Sequence, residues 1–241
     1  MMFLPRLKKL SQILLDGSLI SALLKGAAAG TEHVLVLKNL DCGFVVDVGA
    51  NRGQFALVAR KCFPNTKIIS FEPLKEPAAI FRRVFNSDPM VVLYELAIGP
   101  SNERRTIHIS RQDDSSSLLP ITSLQSDLFP GTGEKEVRTI QVKPLDAVLD
   151  PKDIKRPALI KLDVQGFERQ ALDGCKSLLP LFSHVYVECS FVELYAGQSL
   201  AHKVISFLDD IGFVLAGVYN LSYDKKGAAI QGDFLFKNKS S

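Results

Sequence analysis

Tryptophan is absent from this chain of 241 residues, and only four cysteines, four histidines and three methionines are present. Cys42, Cys62, Cys175 and Cys189 form no C-x-x-C pair and have no histidine at the spacing that zinc requires. A zinc module is thereby excluded as the organising principle. Free thiols in a reducing compartment, hence a cytoplasmic location, are the expectation. Cys62 and Cys189 sit among apolar residues, where cysteine behaves as a small hydrophobe. A dominant charge is also missing, since 29 Lys and Arg against 26 Asp and Glu leave only +3. Without a basic stripe, a dedicated nucleic-acid binder is disfavoured.

Long apolar runs are lacking too. No window reaches the roughly 18 uninterrupted apolar residues of a spanning helix, because Asp16, Gly17 and Ser18 break the one candidate stretch. That break also argues against reading Arg6, Lys8 and Lys9 with Ala27-Ala28-Ala29 as a leader and its cleavage site. Leu4, Leu7, Leu10, Leu14 and Leu15 recur at helical spacing, so residues 1–40 are expected to form a helical appendage. Its basic side is suited to a membrane surface, although a solvated face is the commoner role of such a helix. Residues 41–241 are then the functional domain.

What is present is 46% apolar content, enough for one substantial core. Short apolar strands alternate with helical stretches: Phe44 to Asp47 then Gly53 to Cys62, Lys67 to Phe71 then Pro77 to Phe85, and Met90 to Tyr94. The alternation resumes at Ala158 to Leu162, Phe167 to Leu172, His184 to Glu188 and Leu200 to Ile211. This is the pattern of parallel β-α-β units, an open α/β sheet covered on both faces. Arg104 to Ser110 and Val137 to Val142 read as strands flanking the longest expected loop, Arg111 to Glu134. Loops of that length tend to be lids, binding loops or linkers. Phe213 to Val218 and Ala228 to Phe236 are separated only by Asn220 to Gly227, too short for a helical crossover, so they are expected to pair antiparallel.

The densest chemical signal is Asp47-Val48-Gly49-Ala50-Asn51-Arg52-Gly53, a glycine turn between a strand and a helix, followed by Glu72 at the end of the next strand. Ligands of open α/β sheets bind at those strand ends. Gly49 permits a tight turn close to a ligand, Gly53 permits close approach of the helix, and the Glu72 carboxylate is suited to a ribose diol. A dinucleotide turn needs a second glycine where Asn51 stands, and Asp47 would repel a pyrophosphate. A cofactor without phosphate, such as S-adenosylmethionine, is compatible with both.

Together these residues resemble the FkbM family of methyltransferases. The resemblance is carried by Val46 to Phe55, Phe71-Glu72-Pro73, Ala97, Leu145-Asp146 and Ile160-Lys161-Leu162-Asp163-Val164-Gln165-Gly166-Phe167-Glu168. It implies a class I, Rossmann-like fold with a mostly parallel seven-stranded sheet and an antiparallel C-terminal hairpin. It also implies S-adenosylmethionine as cofactor and O-methylation of a hydroxyl on a sugar, glycan or natural-product scaffold. Asp47, Gly49, Asn51 and Gly53 would frame the methionine end, with Ala50 and Phe55 in the same cofactor-binding segment. Glu72, with Pro73, would hold the ribose, Ala97 the adenine, and Asp163 would face both the methionine end and the acceptor. The family usually carries Glu where this chain has Gln165.

Methyl transfer from a sulfonium needs alignment and a group to take the hydroxyl proton. Asp163 is the leading candidate, then Glu188 at the next strand end, then His202. No metal is required, although Asp163 and Glu188 together are suited to magnesium. Rival readings are an NAD-dependent oxidoreductase, a noncatalytic nucleotide-binding module of the same fold, and a methyltransferase acting on RNA.

Overall fold

The computed structural model describes residues 13–240. The helix expected over Leu4 to Leu15 therefore lies almost wholly outside the described residues. From there the chain forms α1 (Gly17–Leu24), α2 (Val34–Leu37), β1 (Phe44–Val48), α3 (Gln54–Cys62), β2 (Lys67–Phe71), α4 (Lys75–Val84) and β3 (Val91–Tyr94). An insertion follows, with β4 (Ala97–Ile98), β5 (Glu103–Ser110), α5 (Ser123–Leu128) and β6 (Glu134–Lys143). The remainder is β7 (Ala158–Leu162), α6 (Glu168–Cys175), β8 (His184–Ser190), α7 (Ala201–Asp210), β9 (Phe213–Tyr223) and β10 (Ala229–Asn238).

The main sheet has seven strands in the order β3-β2-β1-β7-β8-β10-β9. Its first five strands are parallel, and β10 runs antiparallel to both β8 and β9, as the short final connection implies. β1 and β7 are buried along their whole length, which is why Phe-Val-Val-Asp-Val and Ala-Leu-Ile-Lys-Leu lack polar alternation apart from one charged residue each. Strand order reverses between β1 and β7, so the connections that leave their carboxyl ends run in opposite directions and leave a crevice.

Successive strand residues serve opposite layers. Phe44, Val46 and Val48 join a core with α6 and α7, whereas Val45, Ile68 and Leu159 face α3 and the N-terminal segment. That segment buries Leu19, Ala22, Ala27, Ala29, Val36 and Leu37 in this second core. Asp16, which breaks the apolar run, caps α1 by accepting from the amides of Ser18 and Leu19 at 3.0 and 3.3 Å.

Three local expectations change. The strands over Arg104 to Ser110 and Val137 to Val142 do form, but they leave the main sheet and pair antiparallel in a separate three-stranded sheet, β4-β6-β5. The stretch from Arg111 to Glu134 is not a plain loop. Leu118 and Leu119 are buried in the core, and Thr122 caps α5 by accepting from the Gln125 amide at 3.2 Å. β9 also continues to Tyr223, through residues read as turn, with Asn220 at φ 49° where the pairing register shifts.

Candidate active site

The glycine turn leaves β1 at the reversal point, and its amides are spent within the protein. Gly49 and Ala50 both donate to the Phe71 carbonyl at 3.0 and 2.9 Å, and Gly53 donates to the Ala50 carbonyl at 2.8 Å. The Asn51 amide donates to Glu72 Oε2 at 2.9 Å, and the Arg52 amide to Asn51 Oδ1 at 2.8 Å. Gly49 has φ 79°, and a Cβ there would come within 1.8 Å of the Asp163 carbonyl oxygen. The glycine thus lets the ends of β1 and β7 meet backbone to backbone. At Gly53 a Cβ would strike the rings of Phe81 and Phe85, so that glycine admits α4 rather than the sheet.

Glu72 is buried at the end of β2. Its Oε1 accepts from the Leu74 amide at 2.8 Å, and each carboxylate oxygen keeps a further lone pair for a ligand. Burial pushes its pKa up to about 7, against the opposing pull of these two amides.

Asp47 does not reach the cavity wall. It is fully buried beneath the turn, neither oxygen has a hydrogen-bond partner among the described residues, and the Lys161 ammonium lies 3.4 Å from Oδ1. The resemblance implies that Asp47 frames the methionine end of the cofactor. The loop amides are met by the Phe71 and Ala50 carbonyls, Glu72 and the Asn51 side chain, and the Asp47 carboxylate serves instead as counter-ion to Lys161. Lys161 donates to the Gly49 carbonyl at 3.1 Å and stands 3.5 Å from Asp163 Oδ2. Desolvation works against its charge, but Asp163 and Asp47 outweigh that, and its pKa is raised. A lysine within an otherwise apolar strand was the available sequence signal for this centre, because lysine is almost never fully buried unpaired.

Beyond Asp163 the contacts are between side chains. Gln165 donates from Nε2 to Asp163 Oδ1 at 2.8 Å and to Glu188 Oε2 at 3.1 Å, and its Oε1 accepts from the Tyr195 hydroxyl at 2.7 Å. Gln231 donates to the other Glu188 oxygen at 2.8 Å. Burial and the nearby Asp163 charge drive the pKa of Glu188 well up. Tyr195 and Gln231 carry no sequence motif, since each comes from a segment distant in the chain. Buried Glu168 closes the turn after β7 by accepting from the amides of Val164 and Gly166 at 3.1 and 3.0 Å.

These strand ends open on a cavity of about 420 Å³, within the range of ordinary ligand pockets. Gly49, Ala50, Asn51, Phe55, Glu72, Pro73, Ala97 and Asp163 line it, whereas Asp47, Gly53 and Glu188 do not. His202 is exposed on α7 and is also absent from the wall. The insertion supplies the opposite side through Gln112 to Leu118, Gln125 and Phe129, and the Arg52–Asp113 ion pair at 2.7 Å ties it to the glycine turn. His33, from the N-terminal segment, completes the rim and lies 3.1 Å from the Tyr186 hydroxyl.

A reversed open sheet with a glycine turn, a strand-end acid and a second acid across the reversal defines a Rossmann-like fold of the methyltransferase kind. The chain matches the methyltransferase FkbM domain over residues 47–215 and belongs to that family. It is 26% identical over 202 residues to the 2-O-methyltransferase NoeI of Sinorhizobium fredii, covering 80% of this chain and 79% of that protein. It is 28% identical over 144 residues to the hexuronic acid methyltransferase AglP of Haloferax volcanii, covering 59% and 54%. Among solved structures, the magnesium protoporphyrin IX methyltransferase of Synechocystis superimposes with a TM-score of 0.48 at 10% identity, covering 85% of this chain and 74% of that one. Among the described residues no helix is long and apolar enough to cross a membrane.

Proposed function

We propose that this methyltransferase uses S-adenosylmethionine to methylate a hydroxyl of a sugar, glycan or natural-product scaffold. The observation that carries the choice of donor is the saturation of the glycine turn. All five amides from Gly49 to Gly53 are engaged inside the protein, so none is left to cradle a phosphate. The wall adds Glu32, Glu72, Asp113, Asp114 and Asp163 against a single lysine, already engaged by Asp47 and Asp163. Such a cavity suits a sulfonium and an ammonium and opposes the pyrophosphate of NAD.

S-adenosylmethionine, when bound, supplies an electrophilic methyl group on its sulfonium sulfur. Glu72 would accept hydrogen bonds from the ribose hydroxyls through its free lone pairs. Ala97 and Ile98, with Leu118 and Phe129, would flank the adenine, and Asp163 would face the methionine ammonium and the acceptor. Asp163 is also the acid best placed to take the acceptor's proton, being part-exposed on the wall, whereas Glu188 does not line the cavity. Glu188 then acts through Gln165, as a positioning residue. Lys161, Gln165 and Tyr195 fix these acids so that alignment survives binding. An oxygen acceptor is supported by the name of the 2-O-methyltransferase NoeI, a carbohydrate one by that of the hexuronic acid methyltransferase AglP, and both by the amide and carboxylate groups around Asp163, which suit hydroxyls.

The test is transfer of labelled methyl from S-adenosylmethionine to glycan and small-molecule fractions. Wild type should label a hydroxyl-bearing product, Glu72→Ala should lose donor affinity, and Asp163→Asn should lose transfer. Equal labelling by all three proteins would refute the site.

A further inference from the structure

Gln125 is the polar side chain on the cavity wall that the site leaves unused. It projects from α5 in the insertion, is 3% exposed, and its Oε1 is buried without a hydrogen-bond partner among the described residues. Its backbone is fixed on both sides. The amide donates to Thr122 Oγ1 at 3.2 Å, and the carbonyl accepts from the Phe129 amide at 2.8 Å and from Thr132 Oγ1 at 3.4 Å. Buried polar atoms are nearly always paired, so an unpaired one on a residue that lines a cavity points to an absent ligand.

The ligand's chemistry follows from the amide and its surroundings. Ala97, Ile98, Leu118 and Phe129 give the same cavity apolar wall, suited to a flat ring. A primary amide presents an acceptor and a donor side by side, and a half-turn about its last bond exchanges them. The flat ring that answers with a donor beside an acceptor is adenine, through its 6-amino group and an adjacent ring nitrogen. We propose that Gln125 reads the edge of the donor's adenine, so that the insertion is a specificity element and not only a cover. This rests on S-adenosylmethionine being the donor.

The test compares S-adenosylhomocysteine with its 6-desamino analogue, in which purine replaces adenine, by calorimetric titration of the full chain. Wild type should prefer the amino compound by about tenfold or more, the usual discrimination of a bidentate amide–adenine pair. Gln125→Leu should bind both within about twofold of each other. Gln125→Asn, which keeps the amide but withdraws it by one methylene, should lose most of the preference and serves if the leucine variant does not fold. Equal binding of both compounds by wild type, or an undiminished preference in either variant, overturns the inference. Failure of wild type to bind either compound overturns the donor reading itself, and this inference with it.

Discussion

At the Glu72 end of the cavity the polar contacts are made by main chain, whereas at the Asp163 end they are made by side chains from β7, β8, β10 and the segment carrying Tyr195. The first arrangement depends on where two strands end and on one turn between them. The second depends on residues that meet only after the whole sheet has assembled. On the proposed function, the first would hold the donor and the second would read the acceptor. Lys161 belongs to both, since it touches the Gly49 carbonyl, Asp47 and Asp163.

Removing Lys161 should therefore break the comparison most severely. Lys161→Met leaves Asp47 as a buried carboxylate without its counter-ion, and loss of one partner of such a pair costs about 3–5 kcal/mol. Chemical denaturation should show a loss of that size, and adding Asp47→Leu should restore most of it, because the lone charge is then gone.

A smaller and more selective effect is expected at Gln165. Gln165→Glu replaces the amide that donates to Asp163 and Glu188 with a third carboxylate. Like charges raise one another's pKa, so a carboxylate at 165 would be drawn to share a proton with Glu188, and Asp163 would lose the donated hydrogen bond that fixes it. The transfer rate should fall by about tenfold as that alignment loosens. Donor affinity should stay within about twofold, and a larger change would show that the two ends are not separable.

The same division explains what the sequence revealed. The parallel strands, the antiparallel hairpin, the glycine turn and Glu72 were legible because strand periodicity and the turn are local signals, whereas Phe55, Pro73 and Ala97 followed only from the family resemblance. The position of Asp47 was not, since burial beneath the turn depends on Lys161 from a strand far along the chain. Neither were Tyr195 and Gln231, which reach the site from distant segments. The insertion looked like a loop because its composition is turn-rich, yet Leu118, Leu119 and Phe129 anchor it over the cavity. His202 shows the converse: a chemically apt residue on a helix can face solvent.

The central claim, that the Glu72 end binds S-adenosylmethionine, is tested most directly by titrating the protein with that compound from pH 5.5 to 8 in buffers of different ionisation heat. Glu72 has a pKa near 7 in the free protein, and ribose hydroxyls donating to its carboxylate would favour the ionised form. Binding below that pH must release the proton. Affinity should therefore weaken as pH falls through 7, by up to about tenfold per unit, and level off above it, with close to one proton released at the acidic end. Glu72→Gln should abolish this dependence. Absence of binding, saturable binding of NADH in its place, or an affinity indifferent to both pH and Glu72 would contradict the account.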